Sequence, residues 1–281
     1  MYTKENFKFD IIIPHLNYSG IEKSLKTLRE RTPINNLGKV ILINQSGETK
    51  EYLDKYVDIH IRIPNQGFAR ANNLGIRLSD SDFCGCMNDD VEVMNPKWID
   101  GIIETFNRYS TALCVNPASP RNPRCSGCEP IDHPGYEWRE NWDDEIYDKL
   151  LKELGKGYVI DGICMFFPIF KREMLDKLPG SIPGKCWFDE YFYPGGGEDY
   201  DMNRRAYLSG MRCLGTNLSY IYHYWYSTVK PGATEPGVKY DGGLFDRKWS
   251  VFNEAGTEIT ERADIYGKNG KKEIPLNQIR G

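Results

Sequence analysis

Between residues 9 and 94 the chain alternates short, unbroken apolar runs with segments of helical period, and no other feature constrains the fold as tightly. "FDIIIPHLN" (9–17) is a β-branched run stopped by Pro14 and Asn17. "GIEKSLKTLRERT" (20–32) then sets Ile21, Leu25 and Leu28 on one helical face. The pattern repeats. "GKVILINQSG" (38–47) and "HIRIPN" (60–65) read as strands, "FARANNLGIRLSDS" (68–81) as a helix, and "DFCGCMNDDVEVM" (82–94) as a fourth strand. A run with no polar alternate must be covered on both faces, which a helix-flanked, mostly parallel sheet achieves. The class expected from pattern alone is therefore α/β, with some mixed strands later in the chain. Ligands in such sheets gather beyond the carboxyl ends of the strands.

The later segments are less regular. "NPKWIDGIIETFNRY" (95–109) predicts a helix burying Trp98, Ile102, Ile103 and Phe106, and "ALCVNPASP" (112–120) a fifth strand. Residues 119–157 form a long insertion rich in Pro, Gly, Cys, Trp and Asp, apart from a charged helix near "DEIYDKLLKELG", and read as a lid or specificity loop. "GYVIDGICMFFPIFKREMLDKL" (157–178) predicts a strand then a helix, "RCLGTNLSYIYHYWY" (212–226) a strand. A single main domain over 1–235, carrying the insertion, with a C-terminal appendage over 236–281, is the organisation expected.

Composition narrows the function. With 40% hydrophobic residues in 281 there is ample material for a core, while 36 basic against 40 acidic residues, with no basic stripe, disfavour nucleic acid as a partner. The N-terminal stretch lacks the pattern of a signal peptide, and no apolar run reaches membrane-spanning length. A cytoplasmic protein without a transmembrane segment is expected, with peripheral membrane contact left open. Cysteines in apolar runs read as core thiols of a reducing compartment. Cys125 and Cys128, with His133 nearby, have the spacing of half a zinc site but no second pair follows, so a plain loop is the simpler reading.

Three stretches carry possible chemistry. Asn88, Asp89, Asp90 and Glu92 lie where the fourth strand ends. Solvated acids at a strand end are the bland reading. Half-buried carboxylates, however, stay ionised only beside a cation or several donors, and hard oxygen ligands at a sheet mouth suit Mn2+ or Mg2+ holding a diphosphate. In "GGGEDYD" the glycines of 195–197 permit close backbone approach, and Glu198 and Asp199 open a helix. These acids read equally as helix caps and as a general base for an acceptor hydroxyl. His223, between aromatics in "YIYHYWYST", is either a satisfied core histidine or a metal ligand; Trp225 suits either the core or stacking on a sugar.

The order "DIIIPHLN", "ILINQS", "NQGFARANNLGI", "CMNDDVEV", "VIDGICMFF", "FDEYFYPGGGEDYDMNRRAYLSGM", "YHYWYST", "DRKWS" resembles the inverting, nucleotide-sugar-dependent glycosyltransferases of family 2, and among them the rhamnosyltransferase-like branch. The resemblance spans residues 9 to 250. It implies the GT-A fold, a Rossmann-like mixed sheet flanked by helices, and a hexosyltransferase type of activity. It puts Asp90 in the place of the metal-binding acid of the Asp-x-Asp motif, with Asp89 near the ribose or metal. Asp199 matches the catalytic base, Glu198 an acceptor contact or alternative base, and His223 a late metal-binding histidine. Pro14, His15 and Asn17 correspond to the loop under the nucleoside, Asn65, Gly67 and Asn72 to the turn and helix after the third strand. Asp161, Gly162 and Trp225 fall on the acceptor and sugar side. The implied ligands are a UDP-, dTDP- or GDP-linked sugar, Mn2+ or Mg2+, and a glycan or other hydroxyl acceptor.

Two positions depart from that pattern. Asn44 stands where the family commonly has an aspartate against the nucleobase, and neutral Asn88 opens the acidic motif. Two rival functions remain: a nucleotidyltransferase making sugar nucleotides, which would carry a glycine-rich basic loop where "PHLNYSGIEKS" has one glycine, and a silent nucleotide- or sugar-binding module on the same fold.

Overall fold

The computed structural model describes residues 1–121, 135–155, 157–225, 245, 248 and 273–275. Its first half follows the expected alternation: β1 (Phe9–His15), α1 (Ile21–Arg31), β2 (Leu37–Asn44), β3 (Ile59–Arg62), α2 (Phe68–Leu78) and β4 (Phe83–Cys86). After it come β5 (Val91–Glu92), α3 (Trp98–Arg108), β6 (Ala112–Ala118), α4 (Asp144–Leu154), β7 (Tyr158–Asp161) and β8 (Ile169–Lys171). The remaining elements are α5 (Arg172–Leu175), α6 (Glu198–Leu208), β9 (Arg212–Tyr220), β10 (Tyr222–His223) and β11 (Glu273–Pro275).

One nine-stranded sheet runs in the order β11-β7-β9-β6-β8-β4-β1-β2-β3. β3, β2, β1 and β4 are mutually parallel, as are β6 and β9, while β8 is antiparallel to both of its neighbours and β7 to β9. Every residue of β1 and β4 is buried, as expected of strands covered on both faces. On one face α3 lies so close to β9 that a Cβ at Gly101 would stand 2.2 Å from the Leu218 carbonyl oxygen. Its Trp98, Ile102 and Phe106 are buried, and each such side chain contributes roughly 1.5–3 kcal/mol of burial.

Two later segments differ from expectation. Residues 157–178 form two strands, β7 and β8, ahead of the short helix α5, where one strand and a helix were expected. The crossing between them is held by Asn116, whose buried Oδ1 accepts from the amides of Phe166 (3.2 Å) and Phe167 (2.9 Å). The strand expected over 212–226 breaks at Ile221, and β10 leaves the main sheet to pair antiparallel with β5, Tyr222 against Glu92 and His223 against Val91. Among the described residues no helix is long and apolar enough to cross a membrane.

Candidate functional site

The parallel register puts the carboxyl ends of β1 to β4 on one edge, with His15 opposite Asn44. The acidic motif leaves β4 there. Met87 donates its amide to Ile12 (2.9 Å) and Asn88 to Phe166 (2.8 Å), so the chain stays clamped between β1 and the crossing segment as it reaches Asp89 and Asp90.

The two aspartates are held differently. Asp89 Oδ2 faces His15 Nδ1 at 2.8 Å and the Leu16 amide at 3.4 Å, and its carbonyl accepts from Ser24 Oγ at 2.8 Å. Asp90 Oδ1 lies 3.1 Å from His223 Nε2, and its carbonyl accepts from the Tyr224 amide at 3.0 Å. The β5–β10 ribbon makes that meeting: the pair is distant in the chain, and two short strands bring the two residues together. His223 stacks on Phe166 at 4.6 Å between ring centroids, packs against Trp225 at 4.6 Å, and keeps a buried Nδ1 without a hydrogen-bond partner.

Asp90 and His223 fit a divalent ion. Adjacent ligands about 2.1 Å from an octahedral centre lie about 3 Å apart, which is the spacing of these two atoms. Among the described residues no group of three or more histidines, cysteines or acids converges, so an ion here would need oxygens from a ligand and water. Glu92, in the same motif, is turned towards Lys23 Nζ at 3.3 Å, and burial raises its carboxyl above the usual range.

The second pair of acids opens α6. Gly197, with φ of 99°, precedes the helix, and its missing side chain leaves room for Phe192 and Phe245. Glu198 accepts from the Gly196 amide and Asp199 from the Tyr200 amide at 2.8 Å, so both acids of this half-buried pair bond to local backbone, while the N-cap position is Gly197 and has no side-chain cap. Burial first, and then the Asp199 charge, raises the Glu198 carboxyl; burial likewise raises Asp199, against stabilising bonds from the backbone of Met165 and the thiol of Cys164. Residues 164–166 are therefore common to both halves. Cys164 and Met165 touch Asp199, and Phe166 lies flat against His223.

The residues expected beside the nucleoside lie at or beyond the carboxyl ends of β1 to β3. Pro14 lies in β1 opposite Ile43, one residue before its end, and Asn17 is exposed in the loop beyond it. Asn44 is engaged by its own turn: Oδ1 accepts from the Ser46 amide (3.0 Å) and hydroxyl (2.7 Å), and Nδ2 lies 3.2 Å from His60 Nε2. Asn65 Oδ1 accepts from the Gly67 amide (3.0 Å), and the buried Asn72 donates to the Phe68 carbonyl (3.1 Å) and has an unpartnered Oδ1. Gly67 joins this turn to the loop before α6, since the Phe68 amide donates to the Pro194 carbonyl at 2.9 Å.

Asp161 ends β7 and Gly162 follows it. Asp161 pairs with Arg212, with burial raising its carboxyl, and Gly162 adopts φ of 77°. Cys125, Cys128 and His133 lie outside the described residues. Cys84, Cys86, Cys114 and Cys213 are free and buried.

Several participants escaped the sequence reading. Lys50 Nζ reaches His15 Nε2 at 2.9 Å. Ser119 Oγ accepts from the His223 amide at 3.2 Å, and Arg121 donates to the Tyr224 carbonyl, so the start of the 119–157 insertion braces the ribbon. Phe245 and Lys248, beyond the boundary expected at 236, pack on α6. Only "DRKWS" hinted at the last of these; the others show no spacing signal.

The model of a family described as glycosyl transferase family 2 matches residues 10–178, more than half of the chain. The chain belongs to glycosyl transferase family 2. No curated protein matches it. Among solved structures, GalNAc-T7 with UDP, GalNAc and Mn2+ superposes with a TM-score of 0.62 at 17% identity over 89% of this chain, which spans 50% of that one. A mannosyltransferase, PcManGT from Pyrobaculum calidifontis, in complex with GDP-Man and Mn2+, gives 0.52 at 13% identity, covering 92% of this chain and 77% of that one. TarS 1-349 of S. aureus gives 0.51 at 11% identity with the same coverages. The family 2 chain thus has the GT-A fold: a mixed, mostly parallel sheet with flanking helices.

Proposed function

We propose that this family 2 chain is a metal-dependent inverting glycosyltransferase, moving a hexose from a nucleotide-diphospho-sugar to an acceptor hydroxyl by single displacement. The observation that carries the reading is the segment 164–166, which puts one carboxylate, Asp199, beside one end and the Asp90–His223 pair beside the other. A displacement needs a base on one side of the anomeric carbon and a held leaving group on the other.

Asp90 and His223 would hold Mn2+ or Mg2+, which when bound supplies positive charge against the departing diphosphate. Asp89, fixed by His15, would hold the ribose, and the loops carrying Pro14, Asn17, Asn44, Asn65, Gly67 and Asn72 would line the nucleoside. Asp199 accepts the acceptor's hydroxyl proton. The oxygen forms its bond to the anomeric carbon as the bond from that carbon to the diphosphate oxygen breaks, releasing a glycoside of inverted configuration and a nucleoside diphosphate. Burial, which raises the Asp199 carboxyl, makes it a stronger base than a solvated aspartate. Glu198, turned back to the Gly196 amide, supports it or contacts the acceptor. UDP- and GDP-linked sugars, the donor nucleotides named for two of the structural neighbours, and dTDP-linked sugars are the donors to screen.

Turnover of a donor panel with Mn2+, followed by anomeric NMR of the product, tests the reading. An inverted product is expected, together with loss of turnover in chelator. A retained anomer sinks the single displacement, and chelator-insensitive turnover sinks the metal.

A further inference from the structure

The donor-side machinery contains a buried lysine with no place in the reaction so far. Lys50 lies at the end of the β2 loop, with φ of 46° and a side chain only 10% exposed. It points inward, to His15 Nε2 at 2.9 Å, as well as to Glu48 at 3.3 Å. His15 is completely buried at the carboxyl end of β1, and its other nitrogen faces Asp89 Oδ2 at 2.8 Å. Withdrawing an ammonium from water is costly unless partners compensate it, so a lysine that only needed solubility would point the other way.

Hydrogen-bond polarity orders this chain. An ammonium only donates, so His15 Nε2 accepts and the ring proton sits on Nδ1, where it donates to Asp89. The Leu16 amide, at 3.4 Å, adds a second donor to the same oxygen. Without Lys50 the carboxylate still selects Nδ1–H, but the Nε2 side of the ring loses its partner and the imidazole is held from one side only. The donor that His15 gives to Asp89 is then less well placed.

We infer that Lys50 is a positioning residue: it holds the His15 ring from its Nε2 side, so that Nδ1–H keeps Asp89 in the geometry that receives the nucleotide. This rests on the donor site proposed above. It adds a determinant supplied by the second strand's loop, at the edge where Asn44 is already engaged by its own turn.

The test pairs a spectroscopic readout with a binding one. In protein labelled with 15N-histidine, with His15 assigned by its loss in His15→Gln, the native spectrum should show Nδ1 protonated and Nε2 bare. Lys50→Met should shift the Nε2 signal while Nδ1 stays protonated. UDP, dTDP and GDP are titrated with Mn2+ by calorimetry, and for the nucleotide that binds, Lys50→Met should weaken affinity about tenfold, the size of one lost buried charged hydrogen bond. Lys50→Arg, which still donates, should restore most of it. In turnover the loss should fall on the donor KM with kcat nearly unchanged. A native His15 protonated on Nε2 overturns the inference, as does Lys50→Met binding with native affinity, even if its stability falls. If the native protein binds none of the three nucleotides, the donor reading itself is wrong and this inference goes with it.

Discussion

Four acids define the candidate site, and each is kept in its state by different neighbours. Asp89 and Asp90 each face an imidazole nitrogen, whereas Glu198 and Asp199 share the mouth of one helix and are pushed upward by burial. Separate consequences follow. Asp199→Asn keeps the shape but cannot take a proton, so kcat should fall about 10²–10⁴-fold while the melting temperature holds or rises; steady-state kinetics and calorimetry on one preparation check both. Glu198 has a folded-state pKa above its unfolded value, so the folded chain binds more protons there. Its contribution is fully present below the unfolded carboxylate range and is lost as pH rises through the folded value. Glu198→Gln removes that loss, so its melting temperature should exceed the native one at about pH 8 and converge with it near about pH 4. Equal curves at both pH values would show that Glu198 is not held out of water. At the other pair, saturating UDP with Mn2+ should stabilise the native chain by about 2.7 kcal/mol at a hundredfold excess over Kd, and His223→Ala should lose most of that shift while UDP without metal acts on both proteins alike.

Short elements decide whether those residues meet. Asp90 reaches His223 because the two-residue strands β5 and β10 pair, and the turn at 65–67 meets the α6 loop where the Phe68 amide donates to the Pro194 carbonyl. A Cβ at Gly67 would sit 2.8 Å from the Pro194 carbonyl oxygen on a backbone with φ of 85°, so both space and conformation exclude a side chain. Gly67→Ala should cost about 1–3 kcal/mol and lower activity further than stability alone explains, because the two loops separate; urea unfolding beside a turnover assay measures both. This is also where legibility in the sequence ends. β1, β2 and α1 to α3 are visible because seven or more residues each carry a period or an apolar run strong enough to read, and the four-residue β3 and β4 because turn residues bound them. β8 is three residues long and β10 two. No periodicity exists over such lengths, and their places are set by partners elsewhere: Asn116 for the crossing segment, Val91 and Glu92 for the ribbon. The acids could be picked out by type and position. The His15 and Lys50 contacts could not, since a lysine in a polar loop looks the same whether it points outward or inward.

For the molecule as a whole, Phe245 and Lys248 bear on where the folded domain ends. A boundary near 235 suits the shift to polar composition, yet Lys248 Nζ lies 2.5 Å from Asp201 and 2.6 Å from Asp189, and Phe245 packs against Gly197 and the Tyr200 ring. Asp201 is fully buried on α6, two residues after Asp199, where it also accepts from Arg205 Nε at 2.8 Å. Asp189 precedes the glycine run that leads into the same helix. One lysine thus ties both ends of the loop that presents Glu198 and Asp199. Removing it takes an ammonium from two carboxylates, of which Asp201 lies out of water, at a cost of about 1–3 kcal/mol, or roughly 2–12 °C in melting temperature for a chain of this size. A chain ending at residue 235 should therefore melt lower than the 281-residue chain and lose turnover, with nucleotide binding in Mn2+ largely kept because β1 to β5 and β10 are intact. Lys248→Met in the 281-residue chain should reproduce part of both losses. Full turnover by the shortened chain would make the residues beyond 235 an appendage after all; loss of turnover without loss of nucleotide binding assigns them to the presentation of the catalytic acids.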